Sequence, residues 1–176
     1  KYWNEHKTVE KLRKKNKSGK PFTFLQGPPY TSGKVHLGTA WNTSLKDIAL
    51  RYKRSQGFDV WDRNGYDVHG LPTAHKVMAK HKLENKDDIE KFGVGKFIKE
   101  CMAFCLKMGD QMTTDFKRMG VTLDYSDSYM ALTNEYMEGE WWMIKEAHKK
   151  KRLYLGEKVM TWCGDCETAV AKHECE

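Results

Sequence analysis

Residues 22–39 read Phe-Thr-Phe-Leu-Gln-Gly-Pro-Pro-Tyr-Thr-Ser-Gly-Lys-Val-His-Leu-Gly-Thr, and this stretch predicts the fold of the 176-residue chain. Residues 22–26 have the composition of a β-strand, and an amphipathic helical pattern begins near His36. Glycine in the loop between them lets the backbone approach a ligand closely, and a helix N-terminus directs free N–H groups at phosphates. The stretch therefore predicts a nucleotide-binding loop between a strand and a helix.

A second strand makes the fold class predictable. Apolar residues recur at helical spacing after the loop, at Trp41, Leu45, Ile48, Ala49 and Tyr52. Gly57 ends that helix, and residues 58–62 again have strand composition. A strand, a helix and a strand in succession form a βαβ unit, whose two strands should be parallel. We therefore predict an α/β fold built on a parallel sheet.

Helical segments surround this unit in the sequence. Residues 3–15 predict an N-terminal helix, and Thr133 has the side chain of an N-cap for a helix that ends near residues 149–152. An apolar stripe predicts a further helix that Gly120 ends, and such stripes usually form core. The stripe consists of Ile98, Cys101, Cys105, Met108, Met112, Phe116 and Met119. Residues 159–162 predict a strand.

The composition excludes several classes of protein. Apolar residues make up 39% of the chain, aromatic residues 12% and charged residues 31%, which is typical of a folded globular protein. No apolar run approaches the ~18 residues that a membrane-spanning helix needs. The lysine-rich N-terminus lacks the apolar core of a signal peptide, so we expect a cytoplasmic location. The length suffices for one domain and the beginning of another.

Positive charge is concentrated at the N-terminus. The formal net charge is +7, and residues 1–20 contribute +6 of it through eight lysine or arginine residues and two glutamates. Nucleic acid could dock on this segment, around Lys11, Arg13 and Lys14. A solvated, lysine-rich helix face explains the same run, and for an isolated run this second interpretation is favoured.

Three residues at the start of the predicted helix have chemistry suited to phosphates. His36 can donate a hydrogen bond to a phosphate oxygen, Gly38 leaves space for a purine or ribose, and Thr39 offers a hydroxyl donor. Such donors would stabilise the charge that develops at an α-phosphate when pyrophosphate leaves. The motif H-x-G-T is weak alone, but its position after Gly27 and Gly33, between a strand and a helix, makes it specific. We therefore expect these three residues to be catalytic.

The loop after the second predicted strand contains a carboxylate in a position suited to ligand binding. Residues 65–72 read Gly-Tyr-Asp-Val-His-Gly-Leu-Pro. Open α/β sheets bind ligands at the C-terminal ends of their strands, where Asp67 could pair with an ammonium group. An aspartate beside Gly65 can instead satisfy the N–H groups of its own turn, and the residues alone favour this second interpretation.

Residues 27–30 and 36–39 together resemble the first signature of class I aminoacyl-tRNA synthetases. The loop at residues 65–72 is similar to that of isoleucyl-tRNA synthetases, and the similarity continues through residues 138–142, 158–163, 168–169 and 173–174. It covers nearly the whole chain and is greatest for the archaeal and eukaryotic branch. The resemblance implies the first half of a Rossmann-type catalytic domain with helical additions, residues 1–155. Residues 156–176 would begin an inserted editing domain.

The resemblance also implies a reaction, its substrates and the residues that bind them. Such an enzyme activates isoleucine with ATP and Mg²⁺, releases pyrophosphate and transfers the aminoacyl group to tRNA(Ile), as a monomer. Asp67 would pair with the α-ammonium group of isoleucine, and His69 would either buttress the loop or touch the substrate. The implied ATP contacts are Gly27, Pro28, Gly33, His36, Gly38 and Thr39. The implied amino-acid contacts are Pro28, Tyr30, Asp67 and His69.

Two residues depart from the pattern of the family, and one of its signatures is absent from the sequence. The class signature usually ends in a second histidine where this chain has Thr39, so we expect His36 to have the larger electrostatic role. Tyr66 stands where many members have tryptophan, which keeps an aromatic wall. The chain contains no K-M-S-K-S-like loop, the second ATP-binding signature of the family. We therefore expect these residues alone to be inactive or nearly so.

The cysteines indicate a metal site rather than disulfides. Their count of five is odd, and Cys163 and Cys166 form a C-x-x-C with the spacing of two ligands on one zinc knuckle. His173 and Cys175 could complete the site locally, whereas the resemblance implies that a cysteine pair later in the protein completes it. We favour the latter, a structural zinc site of which this chain holds half. Redox chemistry is less expected, because nothing thioredoxin-like precedes the motif.

Two other functions fit parts of the sequence. A small nucleotidyltransferase of the H-x-G-H type would explain residues 36–39, but it would not explain the loop at residues 65–72 or the C-x-x-C. A zinc-containing RNA-binding module would use the basic N-terminus. That module lacks aromatic residues among the basic ones, and it leaves residues 27–39 unexplained.

Overall fold

The computed structural model describes residues 2–164 and 166–170, which contain both helices and strands. The helices are α1 (Tyr2–Glu5), α2 (Thr8–Lys15), α3 (Leu37–Ser55), α4 (Leu71–His81), α5 (Lys86–Phe92), α6 (Val94–Met119) and α7 (Asn134–Lys149). The strands are β1 (Pro21–Leu25), β2 (Asp59–Arg63), β3 (Gly65–Tyr66), β4 (Tyr129–Met130), β5 (Trp162–Cys163) and β6 (Thr168–Ala169). The predicted α/β fold is confirmed.

The parallel βαβ unit lies at the centre of this arrangement. Strand β1 pairs in parallel with β2, with Phe22 opposite Val60, and α3 connects the two strands. A second parallel pair, β3 with β4, places Gly65 opposite Tyr129. A Cβ atom on Gly65 would lie 2.2 Å from Cε1 of Tyr129, so the close pairing requires glycine at this position.

The hydrophobic core joins α3, α6 and the strands. Its buried members are Leu50, Val60, Tyr66, Val68, Cys105, Met112, Phe116, Val121 and Leu123. Helix α6 confirms the predicted stripe at Cys105, Met112 and Phe116, and Gly120 ends the helix at φ 83°. The core interpretation was wrong at both ends of the stripe, because Ile98 and Met119 are exposed.

Tyr66 belongs to this core and not to a surface that a substrate could touch. Its ring is 2% exposed, and its hydroxyl lies 2.5 Å from Thr113 Oγ1 on α6. Burial raises the pKa of the Tyr66 phenol, which keeps the hydroxyl protonated and able to hydrogen-bond. The aromatic wall that the sequence predicts at Tyr66 therefore belongs to the hydrophobic core.

Helix α3 buries its polar side and exposes its apolar side. Trp41, Leu45, Ile48 and Tyr52, whose spacing predicts the helix, are each more than half exposed. The buried residues are Thr43, Asp47, Leu50 and Arg54. An amphipathic helix usually packs its apolar face inward. Here the inward face is polar because its charged groups find hydrogen-bonding partners inside the fold.

Those partners are Asp62, near the C-terminal end of β2, and Thr122, which follows α6. Arg54, 2% exposed, donates to Asp62 Oδ1 at 2.6 Å and to Thr122 Oγ1 at 2.9 Å. Asp47 Oδ1 accepts from the backbone N–H and the hydroxyl of Thr122, at 2.7 and 2.6 Å. Because a buried charge is tolerated only when it is paired and hydrogen-bonded, these contacts explain the burial of Asp47 and Arg54.

The N-terminal segment forms two helices where the sequence predicts one. Lys7 adopts the left-handed conformation, φ 49°, which separates α1 from α2. Arg13 on α2 donates to both carboxylate oxygens of Asp62, at 2.6 and 2.9 Å, and to the Thr122 carbonyl at 3.0 Å. One of the basic residues considered for nucleic-acid contact is therefore committed to holding α2 against the sheet.

The C-terminal part begins with α7 and ends in a short hairpin. Thr133 Oγ1 accepts from the Tyr136 N–H at 3.3 Å, which confirms the predicted N-cap. The predicted strand at residues 159–162 is found only at Trp162, the first residue of β5, which pairs with β6. The domain boundary near residue 155 stays a prediction. Across the described residues, every helix is too short or too polar to cross a membrane.

Candidate functional site

Backbone hydrogen bonds join the loop at residues 27–39 to the loop at residues 65–72. The Asp67 N–H donates to the Pro29 carbonyl at 2.9 Å, and the Thr31 N–H donates to the Asp67 carbonyl at 2.9 Å. These two bonds form a parallel bridge between Tyr30 and Asp67. The Thr31 hydroxyl adds a third bond to the Asp67 carbonyl at 3.0 Å. The two motifs that the sequence predicts separately therefore form one rigid edge.

A cavity of about 370 Å³ opens beside this edge, between the end of β1 and the first turns of α3. It is lined by Gln26, Gly27, Pro28, Pro29, His36, Gly38, Thr39, Asn42, Thr43 and Lys46. All but one of the predicted nucleotide contacts therefore lie around one space. Gly33 is outside this lining, as are the predicted amino-acid contacts Tyr30, Asp67 and His69.

His36 is held at the start of α3 by both of its ring nitrogens. Nδ1 accepts from the Thr39 N–H at 3.3 Å, so the imidazole N-caps the helix. In the neutral ring the proton then belongs to Nε2, which lies 3.0 Å from Thr39 Oγ1. The ring is exposed. At this exposed helix N-terminus, Nε2–H would donate to an incoming phosphate oxygen in place of Thr39 Oγ1.

Gly38 leaves space for the histidine ring itself. A Cβ atom at position 38 would lie 3.2 Å from Cε1 and 3.3 Å from Nδ1 of His36, which is tighter than ordinary packing. A side chain there would press the imidazole away from Thr39. From the sequence, this space was expected to hold a purine or ribose; the structure adds a nearer steric reason for glycine. A Cβ atom on Gly33 would meet no described atom within 4 Å, so sterics do not require glycine there.

Four polar residues of the cavity were not predicted from the sequence: Gln26, Asn42, Thr43 and Lys46. Gln26 and Lys46 have the most distinctive surroundings. Gln26 is 1% exposed, and both polar atoms of its carboxamide lack a hydrogen-bond partner among the described residues. A buried amide without a partner is unusual, and a bound molecule in the cavity could supply the missing hydrogen bonds. Lys46 Nζ reaches the Gly27 carbonyl at 3.3 Å, and burial lowers the pKa of its ammonium group. Helical spacing from Thr39 could have identified Lys46.

Asp67 presents a free carboxylate at the rigid edge. Its side chain is exposed, and within residues 2–164 and 166–170 no hydrogen bond or ion pair engages its carboxylate oxygens. The turn interpretation is therefore wrong, since only the backbone of Asp67 takes part in the loop. His69 is exposed as well. A cationic group could approach the Asp67 carboxylate without displacing any described partner.

Tyr30 follows Pro28 in the same loop and is only half-buried. Its hydroxyl lies 2.8 Å from Thr73 Oγ1 and accepts from the Thr73 N–H at 3.2 Å. Desolvation by burial raises the pKa of the Tyr30 phenol and outweighs the opposing hydrogen bonds from Thr73. The tyrosine hydroxyl is thus fixed against the first turn of α4, and the Tyr30 backbone is bridged to Asp67.

Cys163 and Cys166, the predicted zinc ligands, lie close together at the start of the C-terminal hairpin. The Cys166 N–H donates to Cys163 Sγ at 3.4 Å, the type of bond that orients a thiolate for a metal. Cys166 Sγ also lies 3.7 Å from Nε2 of His75 on α4. No cluster of three or more potential metal ligands occurs in the described part of the chain. His173 and Cys175 lie outside the described residues.

Relatives of known name match this chain over almost all of its length. An isoleucine–tRNA ligase of Methanocaldococcus jannaschii is 49% identical over 175 residues, and one of Methanothrix thermoacetophila is 46% identical over 175 residues. Each alignment covers 99% of this chain but 17% of the relative. The chain therefore spans about a sixth of the length of the curated relatives that it matches.

A solved structure and a family model complete the comparison. The LeuRS of Agrobacterium radiobacter K84, in a ternary complex with tRNA and LeuAMS, has a TM-score of 0.57 at 23% identity, over 76% of this chain and 15% of that one. This likeness shows a shared fold. The model of class I tRNA synthetases for isoleucine, leucine, methionine and valine matches residues 1–176. The chain thus belongs to the class I tRNA synthetase family.

Proposed function

We propose that this chain is part of an isoleucine–tRNA ligase and forms one wall of its isoleucyl-adenylate site. The main observation that supports this proposal is that backbone hydrogen bonds join the loop at residues 27–39 to the loop at residues 65–72, which contains Asp67. The 46% and 49% identities to isoleucine–tRNA ligases support isoleucine over the other amino acids of the family.

The reaction needs a nucleotide on one side of this edge. The isoleucine carboxylate attacks the α-phosphorus of ATP, the bond to the β-phosphate oxygen breaks, and pyrophosphate leaves. Charge develops on oxygens of the α-phosphate and the leaving group. His36 Nε2–H, the Thr39 hydroxyl and the free N–H groups of the first turn of α3 would donate to these oxygens. No enzyme nucleophile is required, because the positioned carboxylate reacts directly.

The amino acid would occupy the other side of the edge. Its α-ammonium group would pair with the exposed Asp67 carboxylate. This pairing would direct the carboxylate of isoleucine toward the α-phosphate of ATP. Pro28 and Tyr30 would form an apolar wall for the branched side chain. Since Tyr30 and Asp67 are bridged, binding of the ammonium group and packing of the side chain occur at a fixed separation.

Other components of the proposed activity lie outside the described site. Mg²⁺ would accompany ATP, and the aminoacyl group would pass to tRNA(Ile) in a complete protein that acts as a cytoplasmic monomer. Cys163 and Cys166 fit half of a structural zinc site, because their thiolates and the Cys166 N–H bond suit a tetrahedral ion. Their partners would come from elsewhere in the protein.

ATP–pyrophosphate exchange by the complete protein tests this proposal. Isoleucine should drive exchange, and valine should do so less efficiently by about 10- to 200-fold, a range whose standard example is this pair of amino acids on isoleucyl-tRNA synthetase. Leucine and methionine should give little exchange. Exchange driven by leucine or methionine but not by isoleucine would contradict the assignment.

A further inference from the structure

A continuous chain of hydrogen bonds runs from Tyr30 into the core and returns beside Asp67. The Tyr30 hydroxyl lies 2.8 Å from Thr73 Oγ1, and Thr73 Oγ1 lies 3.4 Å from Cys105 Sγ. Cys105 Sγ lies 3.2 Å from the carbonyl oxygen of Val68, the residue after Asp67. These bonds therefore link the two site loops through α4 and α6.

The direction of every bond in this series follows from the capacities of its groups. The Val68 carbonyl only accepts, so the single thiol proton of Cys105 points to it. The Thr73 hydroxyl must then donate to the Cys105 sulfur, and the Tyr30 hydroxyl must donate to Thr73 Oγ1. The Thr73 N–H in turn donates to the Tyr30 oxygen. One arrangement of protons satisfies all four groups.

The interior members of the series are rigid anchors. Thr73 is 3% exposed and Cys105 is 2% exposed. Neither lines the cavity beside His36. Tyr30, by contrast, is half-buried; its backbone is bridged to Asp67, and its hydroxyl is held by Thr73. Because the two contacts hold the phenolic oxygen at the far end of the side chain, they fix the direction in which the Tyr30 ring extends from the backbone.

We propose that Thr73 and Cys105 are positioning residues that fix the Tyr30 ring relative to Asp67 and so sharpen selection of isoleucine over valine. This inference rests on the proposed function. A fixed ring keeps contact with the full isoleucine side chain and cannot move inward to follow the smaller valine. Neither residue touches substrate; both act through Tyr30 and through the Val68 backbone next to Asp67.

The test is a set of paired substitutions in the complete protein, measured by ATP–pyrophosphate exchange. Thr73→Val removes the hydroxyl and keeps the shape, whereas Thr73→Ser keeps the hydroxyl. We expect Thr73→Val to raise the KM for isoleucine about two- to tenfold, the loss expected for one hydrogen bond. The isoleucine-to-valine ratio of kcat/KM should fall, and the KM for ATP should not change. Thr73→Ser, which keeps the hydroxyl, should have the wild-type KM for isoleucine and the wild-type ratio.

A second Tyr–Thr pair provides a matched control for general loss of stability. Thr113 and Tyr66 make the same kind of contact inside the core, away from the site. Thr113→Val should lower the thermal midpoint without changing the isoleucine-to-valine ratio of kcat/KM. If Thr73→Val does not fold, Tyr30→Phe provides the same readout, because it removes the first donor of the series. In the double variant the two effects should not add.

The outcomes separate this inference from the proposed function. Wild-type protein that shows no isoleucine-dependent exchange would overturn both. A second outcome would overturn the positioning role alone. In it, the wild-type protein shows isoleucine-dependent exchange, but Thr73→Val and Tyr30→Phe keep the wild-type KM for isoleucine and the wild-type discrimination against valine. A Thr73→Val variant that raises the KM for ATP and for isoleucine equally would also overturn it, because that is the result of a merely structural defect.

Discussion

The side chain of Asp67 has no structural role among the described residues, whereas its backbone has one. Its backbone closes the bridge to the other loop, yet its carboxylate has no partner among residues 2–164 and 166–170. A charge-assisted pair is worth about 1.5–3 kcal/mol. Asp67→Asn should therefore raise the KM for isoleucine about ten- to a hundredfold and leave the KM for ATP within twofold.

Steady-state exchange kinetics of the complete protein measure this effect. Glu90→Gln, which neutralises an exposed carboxylate on α5, is the matched charge control and should have wild-type kinetics. An unchanged isoleucine KM in Asp67→Asn would remove the ammonium-binding role from this residue.

Gly38 provides a second prediction at the residue scale. Because an added Cβ would crowd the His36 ring at 3.2 Å, Gly38→Ala should displace the imidazole from its position over Thr39. We expect kcat for adenylate formation to fall at least tenfold, an effect of the size seen when a transition-state donor is lost. Gly95→Ala on α6, where a Cβ meets nothing within 4 Å, is the control and should keep its kcat. Equal rates in both variants would refute the prediction.

The site residues that the sequence predicts belong to a contiguous motif, whereas those that it does not predict depend on packing. His36, Gly38 and Thr39 lie within four positions, so their relation is local. Thr73 and Cys105 are 32 residues apart and meet only through packing of α4 on α6. Cys105 was correctly expected to be buried, but hydrophobic periodicity carries no information about its hydrogen bonds.

At the scale of elements, the junction of α2, α3 and β2 depends on one carboxylate. Asp62 accepts from Arg13, from Arg54 and from the Asp124 N–H. Removing one partner of a buried ion pair typically costs about 3–5 kcal/mol. Asp62→Asn should therefore destabilise β2 by about this amount.

Hydrogen–deuterium exchange of residues 59–63 in the complete protein measures this destabilisation. The exposed pair Arg63–Asp127, 3.0 Å apart, provides the control, since Asp127→Asn should cost less than about 1 kcal/mol. Similar protection of residues 59–63 in Asp62→Asn and Asp127→Asn would show that the buried network does not stabilise the junction.

Acid should loosen the loop that follows this junction. Burial raises the pKa of Asp124, but hydrogen bonds from Ser126 and the charges of Arg13 and Arg54 outweigh it and hold the pKa below its ordinary 3.8. A lowered pKa in the folded state stabilises the fold above pH 3.8, and this contribution is lost as the pH falls through the folded-state pKa. The thermal midpoints of wild type and Asp124→Asn should therefore converge as the pH falls from 5 to 3. Parallel curves would contradict this.

Helix α3 shows why elements are easier to predict than their orientation. Periodicity correctly predicted a helix from near His36 to Ser55, because both faces repeat at 3.6 residues. It gives no reason to bury the face of Asp47 and Arg54. That orientation depends on Thr122, which is 68 and 75 residues from its α3 partners Arg54 and Asp47, and on Asp62, which lies beyond the end of α3. The break at Lys7 also has no periodic signal.

At the scale of the whole molecule, these residues expose a large apolar surface. Trp141, Trp142, Met143 and Ile144 on α7 are each at least half exposed, as is the apolar side of α3. Contiguous exposed apolar surface of this kind marks an interaction surface. Since the chain spans 17% of its relatives' length, we expect other parts of the complete protein to cover α7.

Oxidative footprinting tests this coverage, because it compares the exposure of α7 in residues 1–176 alone with its exposure in the complete protein. Trp141 and Trp142 should be modified rapidly in a protein of residues 1–176 and several times more slowly in the complete protein. Tyr154, 90% exposed and outside any helix, serves as a reference on the same chain. Equal modification rates of the tryptophans in both proteins would contradict the expected coverage. The short protein should also lack exchange activity.

The central claim is that two loops form one wall of an isoleucyl-adenylate site. A crystal structure of the complete protein with a non-hydrolysable isoleucyl-adenylate analogue tests it most directly. We predict the ammonium nitrogen at about 3 Å from a carboxylate oxygen of Asp67 and His36 Nε2 at hydrogen-bonding distance from the group that replaces the phosphate. An analogue bound elsewhere, or with its ammonium group paired to a different carboxylate, would contradict the claim.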